Sequence, residues 1–189
     1  MALRQFNEDN VLDKTMHLFW RKGFHGTSMQ DITQSTGLKP GSVYNTFGNK
    51  EALYIASLNK YASLSHRKLS KAMEMGVGKG IIALLSSMIA HIQDKQYVSC
   101  FLVKTQLELS ATAPNLAQCA SAHLDETRAL YQSFIESEYG KEHSEAYATA
   151  IMMAIFGIRV YGYVCQDDNQ LMNSLKMMLN WLPWDDETH

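Results

Sequence analysis

The chain has 189 residues, 46% of them hydrophobic, with a formal charge of −2 and three cysteines. That composition excludes a disordered or fibrous chain and gives enough apolar side chains for one compact core or two small ones. Three cysteines without paired spacing argue against a disulfide framework.

The charge is unevenly spread. Residues 1–71 hold ten Lys/Arg against five Asp/Glu, and residues 72–189 hold seven against fourteen. A basic leading part on an acidic body suits a protein that docks one end on phosphates. The opening MALRQFNEDN lacks the apolar run of a signal peptide, and no apolar stretch reaches the roughly 18 residues of a membrane span. The expectation is a soluble cytoplasmic protein with no membrane partner.

Asn7 with Glu8 and Asp9 marks a helix start, since Asn caps free amides and acids suit the positive end of the helix dipole. Val11, Leu12, Thr15, Met16 and Phe19 then share one face until Lys22-Gly23 closes the helix. Ser28 and Asp31 form a capping box for a second helix, which Gly37 ends. Pro40 stands where a first-turn proline is tolerated, so a third helix runs from about Pro40 to Phe47 with Val43 and Phe47 inward. Gly48-Asn49 breaks it, and a long fourth helix continues to about Met75.

Beyond the breaker Gly76-Val77-Gly78-Lys79-Gly80 the pattern stays helical. Helices are predicted over Ile81–Gln93, Cys100–Ser110, Leu116–Tyr139, Glu142–Cys165 and Gln170–Leu182. Trp181 and Trp184 pack the last helix down, and Asp185-Asp186-Glu187 forms a solvated end. No segment alternates as a strand does. The fold class is therefore all-α with about nine helices: a three-helix domain over residues 1–48 and a helical domain over 49–189.

Residues 27–50 carry the most information. Two short helices joined by a tight turn, the second with small and polar residues outward, have the layout of a helix-turn-helix. A groove-reading helix needs a face free of bulky apolar groups, and Lys39, Pro40, Gly41 and Ser42 supply one at a helix N-terminus, which attracts phosphate. Tyr44, Asn45 and Thr46 offer hydroxyl and amide groups suited to backbone oxygens, with Ser28 and Lys50 at two neighbouring helix starts. An ordinary helical hairpin would use the same glycines and proline as punctuation.

The detail of the pattern goes further. Lys22-Gly23-Phe24, Gly26-Thr27-Ser28-Met29, Asp31-Ile32, Thr36-Gly37-Leu38, Gly41-Ser42-Val43-Tyr44, Phe47 and Asn49-Lys50-Glu51-Ala52-Leu53 resemble the TetR family. The resemblance covers about the first 55 residues. It implies Ser28, Tyr44, Asn45, Thr46 and Lys50 as phosphate contacts and Lys39, Pro40, Gly41 and Ser42 as the base-facing edge. Many members carry Tyr-His or His-His where this chain has Asn45-Thr46, so two contacts are shorter. It further implies a homodimer on a palindromic double-stranded DNA operator, released by a small molecule bound in the C-terminal domain, hence a repressor.

The later helices are less specific. Ala146, Ala150, Met153 and Gly157, with Leu171, Leu175 and Met178, form helical stripes expected to build the dimer interface, although the same stripes would suit an internal core. Two recognition helices would then lie about 34 Å apart. Cys100 stands near a helix N-terminus, where thiols ionise more readily, and the segment resembles a Gly-Cys-Leu stretch in a subset of TetR-like regulators that sense oxidants or electrophiles. Here Ser99 replaces the Gly, and a small buried residue is the simpler role. Cys119 and Cys165 read as helix-interior core. Phe101, Tyr131, Phe134, Phe156 and Tyr161, with Met152, are candidate walls of an effector pocket, though such residues usually pack a core. No metal spacing, cofactor motif, triad or carboxylate pair is present, so an all-helical enzyme and a protein-binding adaptor stand as rivals from other classes.

Overall fold

The computed structural model describes residues 7–92, 94, 99–165 and 167–184. Those residues form nine helices and no strand: α1 (Glu8–Lys22), α2 (Met29–Thr36), α3 (Pro40–Phe47), α4 (Lys50–Met73), α5 (Val77–Ala90), α6 (Phe101–Leu109), α7 (Pro114–Tyr139), α8 (Ser144–Tyr161) and α9 (Asp168–Met178). No described helix is long and apolar enough to cross a membrane.

The leading helices start and stop where their residues dictate. The Asn7 side chain accepts from the Asn10 amide, and Gly23 ends α1 at a φ of 76°. Gly37 ends α2 in the left-handed region at 75°, which a residue with a Cβ adopts only at a cost. Asn49 accepts from the Ala52 amide at 2.8 Å and so starts α4.

The later boundaries differ from expectation. α5 begins at Val77, inside the glycine cluster, because the Glu138 carboxylate accepts from the Val77 amide at 2.8 Å and caps the helix. The expected end at Gln93 lies outside the described residues. α7 begins at Pro114 and not at Leu116, because proline fits the first-turn position where its missing N–H costs nothing. α8 ends at Tyr161, so Cys165 lies in the connection to α9 and not in a helix interior. α9 begins earlier than expected because Asp167 accepts from the Gln170 amide at 3.1 Å. The acidic run Asp185–Glu187 lies outside the described residues.

Two compact units result, one formed by residues up to Leu64 with Cys100–His123, the other by Ser65–Ser99 with the residues from Leu124 onward. Their borders differ from a division after residue 48. In the first unit α1 packs on α2 and α2 on α3. Its core joins Phe19, Ile32, Val43, Leu53, Tyr54, Leu58, Phe101 and Leu109, all buried. Tyr54 is the centre, with Phe19, Phe24 and Phe101 edge-on at ring separations of 4.8, 5.2 and 5.3 Å. Each such pair is worth about 0.5–1.5 kcal/mol beyond its buried area.

In the second unit α5 packs on α8 and α9, and α8 on α9. Ile81, Ile82, Leu85 and Ile89 of α5 meet Ile151, Ile155 and Ile158 of α8 and Leu175 and Leu179 near the end of the chain. Gly80 lets α5 pass so close to the end of α4 that a Cβ would overlap the Ala72 carbonyl. Trp181 stacks on Tyr147 at 4.1 Å, and Trp184 donates to the Leu179 carbonyl at 2.8 Å, so both tryptophans hold the final turn.

Candidate nucleic-acid interface

The start of α3 is exposed. Lys39 sits at the N-cap in an extended conformation, with no side chain closing the helix end, and Pro40 and Gly41 follow it exposed. A Cβ placed on Gly41 would meet nothing within 4 Å. Val43 turns inward and is buried, which anchors α3 and leaves Tyr44, 46% exposed, and Asn45 on the outside. Lys39, Pro40, Gly41, Tyr44 and Asn45 are therefore all solvent-facing on one short helix.

The remaining expected contacts are more engaged. Ser42 and Thr46 are half-buried, and the Thr46 hydroxyl donates to the Ser42 carbonyl at 2.9 Å, which turns it back along its own helix. Ser28 spends its hydroxyl on the capping box: it donates to Asp31 Oδ2 at 2.7 Å and accepts from the Asp31 amide at 3.1 Å. Asp31 in turn accepts from Lys22 Nζ at 2.6 Å. The Lys22 hydrogen bond, followed by those from the Ser28 amide and hydroxyl, holds the Asp31 carboxyl well below the usual carboxylate range. Lys22 is thus committed to Asp31.

Lys50, the first residue of α4, does not extend freely. Its Nζ lies 4.3 Å from the centre of the Phe24 ring, a cation–π placement. Partial burial lowers its pKa, while the charges of Glu108 and Asp31 act the other way.

Sequence reasoning missed the α6 residues that reach the α1–α2 loop. Lys104 Nζ donates to the carbonyls of Trp20 and Arg21 at 3.0 and 2.8 Å, at the negative end of the α1 dipole. Glu108 accepts from the His25 amide at 3.2 Å, and a Cβ on Gly23 would overlap its carboxylate. Thr112 meets His25 Nε2 at 3.0 Å. The spacing of 104 and 108 marks one face of α6 in the sequence, with Thr112 in the turn that follows, but nothing local says what that face touches.

The expected pocket residues fall in both units. Cys100, half-buried, is the N-cap of α6 in the first unit, and Phe101 is sealed there against Tyr54 and Tyr61. Tyr131 is buried in the core of the second unit, where burial pushes its phenol well above its ordinary value. Met152 is also core, Phe134 and Phe156 are half-buried against it, and Tyr161 is 54% exposed. Of the expected interface stripe, Ala146, Met153 and Gly157 face outward, Ala150 is half-buried and Met178 is exposed. Leu171 and Leu175 are buried in their own unit's core, where α9 lays that edge on α5 and α8. No group of three metal-ligating side chains occurs among the described residues.

What α3 and its neighbours offer chemically is an approachable helix N-terminus with hydroxyl and amide groups around it and a single uncommitted lysine. Such a surface fits an anionic backbone and close approach to base edges. The profile described as bacterial regulatory proteins, tetR family, matches residues 11–56. The HTH-type transcriptional repressor ComR of Escherichia coli is 30% identical over 132 residues, 67% of this chain and 63% of ComR. An uncharacterised HTH-type transcriptional regulator of Bacillus subtilis, YezE, is 23% identical over 118 residues, 61% of each chain. The match therefore spans somewhat under two thirds of the length of these curated relatives. A cysteine mutant of the TetR family regulator CifR, solved with a 26 bp operator duplex, shares the fold with a TM-score of 0.80 at 22% identity, over 97% of this chain and 100% of that one.

Proposed function

We propose that this chain, a member of the TetR family of bacterial regulatory proteins, is a transcriptional repressor that binds a palindromic operator as a homodimer and is released by a small molecule. The observation that carries this reading is the open start of α3, where Lys39, Pro40 and Gly41 stand exposed on a helix end that no side chain caps. The relative ComR is named as a repressor, and CifR was solved on operator DNA, which supports the choice of partner.

In this reading Lys39 to Ser42 approach base edges, and Tyr44, Asn45, Ser28, Thr46 and Lys50 face phosphates. Tyr44 and Asn45 contribute most of the second group, because the hydroxyls of Ser28 and Thr46 already hold intramolecular bonds. The homodimer reading is supported by an apolar surface on α8 and α9, with Met153, Val160, Tyr161, Met177 and Met178 all more than half exposed. Phe134 and Phe156, half-buried against the second core, are where an apolar effector would enter. The effector acts by binding better to a helix-turn-helix spacing unfit for DNA, and α4, continuous from Lys50 to Met73, carries the change.

Selection from a random duplex library, followed by binding at several salt concentrations, tests the reading. Lys39→Ala should cost about 1–3 kcal/mol on the selected site and relax its sequence preference. Tyr44→Phe should weaken binding to all duplexes alike. Retention of no duplex above background at low salt would refute the proposal. Cys100 at the α6 N-cap supports a second trigger, in which an electrophile modifies its thiol. Release of DNA by a maleimide from the native chain and not from Cys100→Ser would establish it.

A further inference from the structure

Between Ser28 and Lys50 the chain has only two basic residues, Lys39 and Lys50, so the state of each matters for phosphate binding. Lys39 is exposed, whereas Lys50 rests on Phe24. The flanking residues of Phe24 hold a carboxylate: the His25 amide donates to Glu108 Oε1, and Gly23 leaves room for that carboxylate where any Cβ would collide. Three successive loop residues thus carry an ammonium on one ring and an acid on the adjoining backbone.

The acid does not belong to the helix-turn-helix. It comes from α6, which is fixed to the end of α1 one turn earlier by Lys104 on the Trp20 and Arg21 carbonyls, while Thr112 in the turn after α6 meets His25. A neutral amide would serve as well as a carboxylate to accept the His25 N–H. What the charge adds is opposition to any phosphate that approaches Lys50, in company with Asp31, whose own counter-charge is Lys22. Asp31 and Glu108 thus set two carboxylates beside Lys22 and Lys50 on this flank of the reading head.

We propose that Glu108 is an anionic rival of the DNA backbone at Lys50: with α6 seated on the α1–α2 loop its carboxylate keeps Lys50 countered over Phe24, so that α6 sets the affinity for phosphate. Glu108 is a positioning residue that acts through Lys50, and the role rests on the DNA-binding reading. The energetic logic is that of competition between two anions for one cation. A duplex phosphate gains the whole of Lys50 only when the carboxylate is gone or displaced.

The test uses the full chain and a fluorescent random-sequence duplex of about 30 bp, read by anisotropy between about 50 and 200 mM salt, where backbone contacts dominate. Glu108→Gln keeps an acceptor for His25 and removes the charge. It should tighten binding by about 3–10-fold at the lowest salt and steepen the log–log salt slope by up to about 0.9 for each protomer engaged. Lys50→Gln should weaken binding by the native chain and should abolish the gain in the Glu108→Gln background. Glu108→Met, which loses the acceptor as well, should show the same gain if charge is the cause, whereas a purely structural role for Glu108 would make it bind more weakly.

Unchanged or weaker binding by both Glu108 variants, or a gain that persists undiminished with Lys50→Gln, overturns the proposal. A native chain that does not hold the duplex at all overturns the DNA-binding reading and this role with it. Native binding with an inert Glu108→Gln overturns the role alone.

Discussion

Tyr54→Phe removes one oxygen from the centre of the first unit, and its cost can be worked from three contacts. Tyr54 Oη and Thr105 Oγ1 lie 2.7 Å apart, with the residues 1% and 0% exposed. The single Thr105 proton goes to the Phe101 carbonyl at 2.9 Å, so the phenol is the donor in the shared bond. Burial raises the phenol pKa well above its ordinary value, which keeps that proton in place at any working pH. In Tyr54→Phe, Thr105 keeps the bond it donates and loses only one it accepts, for a net cost of about 1 kcal/mol. For a chain of this size that lowers the melting temperature by about 2–4 °C.

Thr105→Val is the harsher change, because it strands a buried phenolic proton, and about 1–3 kcal/mol is expected. The double variant removes both partners and should be no worse than Thr105→Val alone, a coupling energy of at least about 0.5 kcal/mol. Urea unfolding followed by circular dichroism measures all four proteins. A neutral Tyr54→Phe, or two losses that simply add, would refute the assignment of donor and acceptor.

Asp31 gives a pH signature. Its folded-state pKa lies below the ordinary 3.8, so its stabilising effect is present above that value and fades only as pH falls through the lower folded one. Asp31→Asn should melt lower than the native chain at neutral pH, and the two curves should converge in strong acid; parallel curves throughout would count against the Lys22 and Ser28 bonds as the cause. Gly80→Ala should destabilise the second unit by about 1–3 kcal/mol, since a Cβ there meets the Ala72 carbonyl, and unfolding in urea will show whether α4 and α5 can part. Met153→Asp places a charge in the exposed stripe of α8, and light scattering should find the native chain at twice its 21.4 kDa and the variant near that mass. A native monomer would remove the dimer reading.

The sequence by itself determined the leading helices almost to the residue. Ser28 and Asp31, Gly37, Pro40 and Asn49 act on their own backbone within four positions, so cap and breaker chemistry is readable before any fold exists. The outward side of α3 followed from the same local rule once Val43 was turned inward. Only the tertiary structure decided what is long-range: that Glu138 caps α5 from 61 residues away, that Leu171 and Leu175 face inward and Met153 outward, and that α6 and the turn after it lay Lys104, Glu108 and Thr112 on the end of α1 and the loop behind it. It also showed that Lys50, a flanking cation in the sequence, rests on the Phe24 ring, whose neighbour His25 donates its amide to Glu108. A helical period states which residues share a face. Which neighbour covers that face is settled only when distant segments compete for the same apolar area and the same few charges.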